Sequence, residues 1–281
     1  MWRTRVAAGG VWLGFHSARA SRQAALPRAR KRFGQHFLAD ASVVEAIAAV
    51  LSVDASDHVI EIGPGRGALT APLAAACDNL TVIEVDRDLA RALRRRFPRV
   101  DVIEADVLET DFAAITDGGV RVVGNLPYNI AAPIMMRLFD ACAGGLAVRD
   151  AHFMLQAEMA GRLAARPGTR ARGRLSVIAR YHCKIEPMLE VEAAAFSPRP
   201  KVTSTFVRLT PRPPPVVALD VEALHTVVRT AFGQRRKRLG NALQSLDLDL
   251  TALGVDPGSR AEEIGVSGFV AMSNQLHLRH G

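Results

Sequence analysis

The sequence predicts an α/β fold: a parallel sheet covered by helices on both faces, followed by a small helical domain. Short apolar stretches rich in Val and Ile recur after residue 57 and alternate with stretches of helical spacing. This alternation is typical of parallel strands joined by crossover helices. A proline-rich stretch at 212–217 cannot join a central strand and is predicted to be a linker. The part that follows it is amphipathic with helical spacing.

The predicted elements follow one another in regular order. Strands are predicted at 58–63, 80–86, 100–106, 120–125 and 151–158, the last of which turns into a helix. Helices are predicted at 67–77, 87–97 and 130–142. A basic loop marked by Gly and Pro follows at 162–174, and closing strands with their connection are predicted at 175–191 and 203–211. We therefore expect one domain at 30–211 and a small helical domain at 217–281.

Composition narrows the classes of protein. The chain has 281 residues, of which 49% are hydrophobic, and no apolar run approaches the roughly 18 residues of a membrane helix. We expect a monomeric globular protein without a membrane span. The cysteines, Cys77, Cys142 and Cys183, have no spacing typical of a metal site or a disulfide framework, so we expect free thiols and no metal. The net charge of +8 favours an anionic partner, with nucleic acid ahead of a membrane surface.

The first 29 residues differ from the rest of the chain. They are rich in Arg, Ala and Ser, and no acidic residue precedes Asp40. Such a composition is typical of a mitochondrial presequence, but an over-extended N-terminus in a bacterium with GC-rich coding gives the same pattern. On either interpretation, 1–29 is a disordered or mis-assigned extension outside the fold. We expect a bacterial cytoplasmic protein, with the mitochondrion as the alternative.

A glycine-rich turn, EIGPGRGALT at 61–70, lies between the first predicted strand and the first predicted helix. Gly63 and Gly65 let the backbone approach a ligand at this place in a doubly wound sheet. Glu84, at the end of the second predicted strand, can accept both hydroxyls of a ribose. Asp106, at the end of the third, can accept the exocyclic amino group of an adenine. Each acid alone could be a solvated loop carboxylate, but together they indicate an adenosine-bearing ligand, either NAD or S-adenosylmethionine.

The segment VVGNLPYNI at 122–130 separates these two possibilities. The side-chain oxygen of Asn125, and a carbonyl held by the rigid Leu126–Pro127 peptide, can orient an adenine N6 amine. They can also stabilise the positive charge that grows on that nitrogen during methyl transfer. Tyr128 offers a face on which an extruded base can stack. A dehydrogenase has no evident use for these residues, so the segment favours S-adenosylmethionine as the cofactor.

Five segments, in order along the chain, resemble the rRNA adenine N6,N6-dimethyltransferases. They are RKRFGQHFL (30–38), VIEIGPGRGALT (59–70), VVGNLPYNI (122–130), FSPRPKVTSTFVRL (196–209) and FGQRRKRLGNAL (232–243). The resemblance implies a Rossmann-like S-adenosylmethionine-dependent methyltransferase sheet with a small C-terminal helical domain. It is closest to the enzymes that dimethylate two adjacent adenines in a hairpin near the 3′ end of small-subunit rRNA, with a role in small-subunit biogenesis.

The resemblance also implies functional residues. The residues it assigns to the cofactor are His36, Leu38, Gly63, Glu84, Asp106 and Asn125. The family commonly has Asn at the position of His36, and a ring nitrogen can replace that amide as a hydrogen-bonding group. Phe196 resembles a second aromatic residue over the target base, and the alternative is a core Phe near a Pro-rich turn. Phe33 and Phe37 either fix the N-terminal segment or contact substrate.

The expected partner is small-subunit rRNA or the immature small ribosomal subunit. Two basic runs are candidate phosphate contacts, one at Arg235, Arg236, Lys237 and Arg238, and the other at Arg170, Arg172 and Arg174. The alternative for either run is a solvated charged face. Two other functions share the motifs: a non-catalytic ribosome-assembly factor, and the 23S rRNA methylases with the related mitochondrial transcription factors. The block at 232–243 favours the small-subunit enzyme.

Overall fold

The computed structural model describes residue 30, residues 34–116 and residues 118–280. The predicted extension at 1–29 lies outside the described residues. The chain forms two compact units. One contains the described residues up to Ala157 together with Pro187–Arg208, and the other contains Glu158–Glu186 and the chain from Leu209 onward.

Seven strands form the main sheet in the order β4-β3-β2-β5-β6-β9-β7. The pairs β2/β3, β3/β4, β2/β5 and β5/β6 are parallel, and the short strands β1 and β8 pair antiparallel in a separate sheet. This arrangement confirms the α/β prediction. The strands are β1 (Phe37–Leu38), β2 (His58–Ile62), β3 (Asn79–Ile83), β4 (Asp101–Ile103), β5 (Val120–Asn125), β6 (Val148–Gln156), β7 (Cys183–Val191), β8 (Phe196–Ser197) and β9 (Ser204–Pro211).

Aspartate side chains fix the start of several helices. Asp40, Asp86 and Asp220 are N-caps whose carboxylates accept backbone N–H groups of the first turn of α1, α3 and α7. The helices are α1 (Ala41–Leu51), α2 (Thr70–Ala76), α3 (Arg87–Arg96), α4 (Ala131–Ala143), α5 (Ala157–Leu163), α6 (Arg174–His182), α7 (Val221–Gly233), α8 (Leu239–Ala242) and α9 (Val266–His280). Among these, α1 is absent from the sequence prediction, although Asp40 before an apolar stretch is a start signal for it.

The core of the first unit is an apolar cluster in which side chains of the sheet pack against the surrounding helices. Val59 and Val82 of the sheet have no exposed surface, and Ile47 of α1 and Leu93 of α3 are buried in the same cluster. The parallel strands β2, β3, β4 and β5 end at the same edge of the sheet. The loops that follow these strands therefore lie side by side.

The structure corrects the prediction for residues 175–182, which form most of α6 rather than a strand. Val177, Ile178 and Tyr181 are buried, a spacing that one helix face supplies, and Ser176 accepts the N–H of Gly173 at the start of the helix. α6 packs against α7 and α9. α6 belongs to the second unit, which contains Glu158–Glu186 as well as the chain from Leu209 onward.

A smaller difference concerns the third predicted strand. β4 ends at Ile103, so Asp106 lies in the following loop rather than at the strand end. Residues 212–220 contain neither helix nor strand, as the linker prediction requires. Across the described ranges, no helix is both long and apolar enough to cross a membrane. The same ranges contain no cluster of three or more His, Cys, Asp or Glu side chains that could hold a metal ion.

Candidate active site

A cleft of about 230 Å³ opens at the edge of the sheet where β2, β3 and β5 end. It lies within the first unit. The six residues predicted to bind the cofactor, which are His36, Leu38, Gly63, Glu84, Asp106 and Asn125, all line it, as do Leu126, Pro127 and Tyr128. The structure therefore brings together side chains that lie up to 92 residues apart in the sequence.

The glycine-rich turn forms the floor of the cleft. Gly63 has a φ of +64°, and a Cβ atom added to it would meet nothing within 4 Å. The turn therefore leaves open space beside its backbone, where a ligand can approach closely. The structure corrects the same prediction for Gly65, because a Cβ there would lie 2.8 Å from the ring of Phe37 rather than in open space. Its missing side chain makes room for the N-terminal segment.

Glu84 is held in a fixed orientation by the backbone. Oε2 accepts the N–H of Gly65 over 3.0 Å, and Oε1 accepts the N–H of Asp86 over 2.9 Å. The carboxylate is 3% exposed, and burial raises its pKa while the two N–H donors oppose that change. Each oxygen retains a further acceptor position, so the pair can still bind two hydroxyl groups.

Asp106 and Glu61 add further carboxyl groups to the cleft wall. Asp106 is exposed, and its Oδ1 accepts the N–H of Leu108 over 2.9 Å, which orients the side chain. Glu61 is 2% exposed and accepts the hydroxyl of Thr70 over 2.6 Å. Burial raises the pKa of Glu61 to about 8. Glu61 is not among the residues predicted for the site, although an acid inside the apolar strand VIEI is itself a signal of a site.

Asn125 ends β5 and has a defined carboxamide orientation. Its Nδ2 donates to the main-chain oxygen of His36 over 2.8 Å. Because a carbonyl oxygen can only accept, the nitrogen must face His36, and Oδ1 remains as the acceptor. Pro127 accepts the N–H of Ile130 in the following turn, which fixes the backbone of this loop.

Tyr128 is held at its hydroxyl and over its ring. The hydroxyl lies 2.8 Å from Oγ of Ser204, and the ring stacks on that of His36 with centroids 5.5 Å apart. Burial raises the pKa of Tyr128, so the phenol is neutral at physiological pH. Ser204 was not predicted as part of the site, because nothing in the sequence links it to a residue 76 positions earlier.

Contacts of Arg30 and Phe37 fix the described residues of the N-terminal segment. Arg30 forms ion pairs with Asp86 and Asp88 at the start of α3. Phe37 pairs with Ser197 through β1 and β8, and the guanidinium carbon of Arg66 lies 4.5 Å above its ring. Phe37 thus fixes this segment and also lines the cleft. Phe33 lies outside the described residues.

Phe196, predicted to lie over the target base, is a buried residue of β8. It pairs with Leu38, is 4% exposed, and belongs to the apolar cluster of the core. This burial fits the alternative of a core residue beside the Pro-rich turn, and the role of Phe196 over the target base stays a prediction. The physical reason for the burial is that the β1–β8 pairing turns this side chain towards the core.

The first basic run lies in the connection between α7 and α8 rather than inside a helix. All four of its side chains are exposed. Two are tied to the protein, since Arg235 donates to the main-chain oxygens of Arg170 and Arg172, and Arg238 donates to that of Gly258. The side chains of Arg236 and Lys237 have no hydrogen-bond or ion-pair partner among the described residues.

The second basic run is not a uniform surface. Arg170 is exposed and Arg174 is half-buried, but Arg172 has no exposed surface. Its three guanidinium nitrogens have no partner among the described residues, and burial lowers its pKa to about 10. The prediction that Arg172 contacts RNA from the surface is therefore wrong for this conformation.

Comparison with known proteins decides the family. The sequence model of the ribosomal RNA adenine dimethylase family matches residues 27–277. The chain belongs to this family. A protein of Methylibium petroleiphilum named ribosomal RNA small subunit methyltransferase A is 48% identical over 252 residues, covering 88% of this chain and 96% of its own length. One of the same name from Chromohalobacter salexigens is 45% identical over 273 residues, covering 93% and 96%.

Solved structures agree on the fold. A dimethyladenosine transferase of Plasmodium falciparum superposes with a TM-score of 0.71 at 21% identity, covering 87% of this chain and 98% of its own. The 23S rRNA methyltransferase ErmE superposes with a TM-score of 0.62 at 26% identity, covering 86% and 99%. Family membership makes this chain an S-adenosylmethionine-dependent rRNA adenine methyltransferase, and its fold is that of such enzymes.

The cleft fits S-adenosylmethionine. The open space at Gly63 admits a ligand against the backbone, and Glu84 keeps two acceptor positions for ribose hydroxyls. The carboxylates of Glu84 and Asp106 favour a ligand with a net positive charge. Bound there, the cofactor supplies a methyl group on a sulfonium.

Proposed function

We propose that this protein dimethylates the N6 atoms of two adjacent adenines in a hairpin near the 3′ end of small-subunit rRNA, and so takes part in small-subunit biogenesis. The orientation of the Asn125 carboxamide carries the proposal. Its nitrogen is engaged by the main-chain oxygen of His36, which leaves Oδ1 as an acceptor in a cleft that fits the cofactor.

That acceptor meets the chemical need of the reaction. The lone pair of an adenine N6 amine is delocalised into the ring, so the amine must be turned until the nitrogen faces the methyl donor. Oδ1 of Asn125 and the carbonyl of Leu126 can accept the two N6 hydrogens. As the new N–C bond forms, these two dipoles stabilise the positive charge on nitrogen. The N6 proton leaves afterwards, so no strong base is required.

The loop geometry supports this assignment. The peptide between Leu126 and Pro127 has no N–H and is conformationally restricted. Together with the turn hydrogen bond at Pro127, it fixes the carbonyl of Leu126 without a change of structure during the reaction. Tyr128, anchored by Ser204, offers a ring on which an extruded adenine can stack. Positioning and electrostatic stabilisation thus account for the catalysis.

The relatives favour the small subunit as the substrate. Those with 45–48% identity are named small subunit methyltransferases, whereas the 23S rRNA methyltransferase ErmE is 26% identical. Their bacterial origin favours the bacterial cytoplasm over the mitochondrion. Exposed arginines and lysine between α7 and α8 supply cationic contacts for the RNA phosphates.

The test is to incubate the purified protein with S-adenosylmethionine and either unmethylated small subunits or large subunits. Nucleosides from each rRNA are then analysed by mass spectrometry, and digestion of the small-subunit rRNA locates the modified site. We expect N6,N6-dimethyladenosine at two adjacent adenines of the small-subunit rRNA. Modification of the large-subunit rRNA alone would assign the protein to the other branch of the family. Absence of modification from both, with intact cofactor binding, would favour a non-catalytic assembly factor.

A further inference from the structure

His36 contacts three different parts of the site. Its main-chain oxygen accepts Nδ2 of Asn125, and its ring stacks on Tyr128 with an interplanar angle of 24°. Its Nδ1 lies 2.8 Å from the main-chain oxygen of Pro198. The two residues to which the proposed function gives direct roles in orienting the adenine therefore share one neighbour.

The hydrogen bond to Pro198 fixes the imidazole ring. Because a carbonyl oxygen can only accept, Nδ1 carries a hydrogen and donates it. This bond persists whether or not Nε2 is also protonated. The segment that carries His36 is itself restrained, since Arg30 is paired with Asp86 and Leu38 is paired with Phe196. The ring therefore has little freedom to move away from Tyr128.

The stacked ring leaves Tyr128 with a defined surface. One face is covered by His36 over a centroid distance of 5.5 Å, and the hydroxyl is engaged with Ser204. An extruded base can therefore stack only on the opposite face. The Asn that the family commonly has at position 36 can hydrogen-bond but has no ring to place there, so this support is a property of the histidine.

We propose that His36 is a positioning residue for the target base. Its ring supports the covered face of Tyr128, and the adenine completes a three-ring stack on the other face. Its carbonyl meanwhile keeps Oδ1 of Asn125 turned towards the amine. The proposal rests on the proposed function, because the ring being stacked belongs to the adenine substrate. It makes His36 act through Tyr128 and Asn125, and not as a ligand of the cofactor alone.

Two variants separate the ring from the hydrogen bond. His36→Phe keeps an aromatic ring but loses the donor to Pro198, and His36→Asn keeps a donor but loses the ring. Both leave the main-chain oxygen that accepts Asn125. An aromatic pair contributes about 1 kcal/mol beyond its buried area, which corresponds to about fivefold. We expect His36→Asn to lower the single-turnover methylation rate of unmethylated small subunits about fivefold, and His36→Phe to lower it less than His36→Asn does.

Two further measurements do not depend on methylation. Calorimetry with S-adenosylhomocysteine should show that His36→Asn changes cofactor affinity less than it changes the methylation rate. A hairpin RNA with 2-aminopurine at the target position should lose fluorescence when its base stacks on Tyr128, with Tyr128→Ala as the unquenched reference. His36→Asn should weaken this quenching and His36→Phe should preserve it. Melting temperatures measured in parallel identify any variant that fails to fold.

Several results would overturn the proposal. One is an unchanged rate and unchanged quenching in His36→Asn. Another is an equal loss of methylation rate and of quenching in His36→Asn and His36→Phe, which would show that the aromatic ring is not what matters at this position. A third is a cofactor affinity that falls in step with the methylation rate, which would make His36 a cofactor ligand. A fourth is a wild-type protein that binds the hairpin without quenching its fluorescence, which would show that the target base does not stack on Tyr128. Failure of the proposed function looks different, since wild type then leaves small-subunit rRNA unmethylated.

Discussion

Oε2 of Glu84 accepts the backbone N–H of Gly65 over 3.0 Å, so the acid that follows β3 and the turn that follows β2 form one rigid unit. We expect Glu84→Ala to weaken S-adenosylhomocysteine binding, because it removes the paired acceptors for the ribose and the support of the turn. Charged hydrogen bonds of this kind contribute about 1.5–3 kcal/mol each, or about ten- to hundredfold in affinity. Calorimetry measures the change.

The matched control for Glu84 is Glu104→Ala. Glu104 follows the neighbouring strand β4, is exposed, and pairs with Arg94 on the surface. Its removal should leave cofactor affinity at the wild-type value. A Glu84→Ala protein with wild-type affinity would show that the carboxylate does not bind the ribose.

Asn125→Ala should impair chemistry more than binding. The variant loses the acceptor that orients the adenine amine and stabilises its developing charge. Removal of one preorganised transition-state acceptor lowers the rate by about a hundredfold or more. Single-turnover methylation of unmethylated small subunits measures this step, and calorimetry should show a modest change in cofactor affinity. Asn79→Ala, an exposed carboxamide at the opposite end of β3, is the control and should react like wild type.

Glu61 makes the stability of the protein depend on pH. Burial raises its pKa from 4.5 to about 8, so the folded state retains a proton that the unfolded state has lost. Stability therefore falls as the pH rises through this window, by up to about 1.4 kcal/mol per pH unit. Glu61→Gln removes this dependence. Urea unfolding at pH 5 and pH 8 measures the difference. The free energy of unfolding of Glu61→Gln, taken relative to that of wild type, should be larger at pH 8 than at pH 5.

The control for Glu61 is Glu45→Gln on the exposed side of α1. Its free energy of unfolding should run parallel to that of wild type across the same pH range. A Glu61→Gln curve that also runs parallel to wild type would mean that the buried carboxyl is ionised throughout, with a partner that stabilises its charge.

Much of the first unit was predictable because its sequence carries two independent signals. The apolar strands identify a parallel sheet, and the residues at their ends, Gly63, Glu84 and Asn125, must then meet at one edge. The sheet order places them there as predicted. The strand predicted at 175–182 was wrong, because an apolar stretch of this length fits either a strand or a buried helix until its packing partners are known.

Contacts between distant segments were not predictable in the same way. The Ser204 hydroxyl beside Tyr128 and the Leu38–Phe196 pairing depend on how the chain returns to the cleft after β7. A run of arginines likewise gives no information on which members are exposed. Arg170 is exposed, whereas Arg172, two residues later, is fully buried. Burial of single side chains in loops depends on tertiary packing that periodicity does not record.

The connection between α7 and α8 gives a direct test of RNA binding. Arg235 and Arg238 also hold main-chain oxygens, so the variant Arg236→Glu/Lys237→Glu separates phosphate binding from loop structure. It should bind small subunits more weakly while its cofactor affinity stays unchanged. The slope of log affinity against log salt should flatten by about one unit for each RNA phosphate that the variant no longer neutralises.

A control for total charge accompanies that variant. Arg91→Glu/Arg95→Glu makes the same charge change at exposed positions of α3. An equal loss of affinity and slope in the two double variants would mean that RNA binding follows net charge alone. If Arg236→Glu/Lys237→Glu binds small subunits with wild-type affinity and a wild-type salt slope, the connection between α7 and α8 does not contact the RNA.

The last prediction compares two buried arginines. Arg121 is 4% exposed, and its guanidinium donates to both carboxylate oxygens of Asp150 and to Asp57. Arg172 has no exposed surface and no hydrogen-bond partner for its guanidinium among the described residues. A buried charge without a partner destabilises the folded state, whereas removal of one member of a paired network leaves the others uncompensated.

Substitution by Met should therefore have opposite effects at the two positions. Arg121→Met should lower the free energy of unfolding by about 3–5 kcal/mol, because Asp150 loses its bidentate partner inside the protein. Arg172→Met preserves the length and apolar packing of the side chain and removes the unpaired charge. We expect it to leave stability unchanged or to raise it by about 1–4 kcal/mol. Urea unfolding of both variants at pH 7 measures the difference. Equal destabilisation by the two substitutions would show that Arg172 has an anionic or hydrogen-bonded partner in solution.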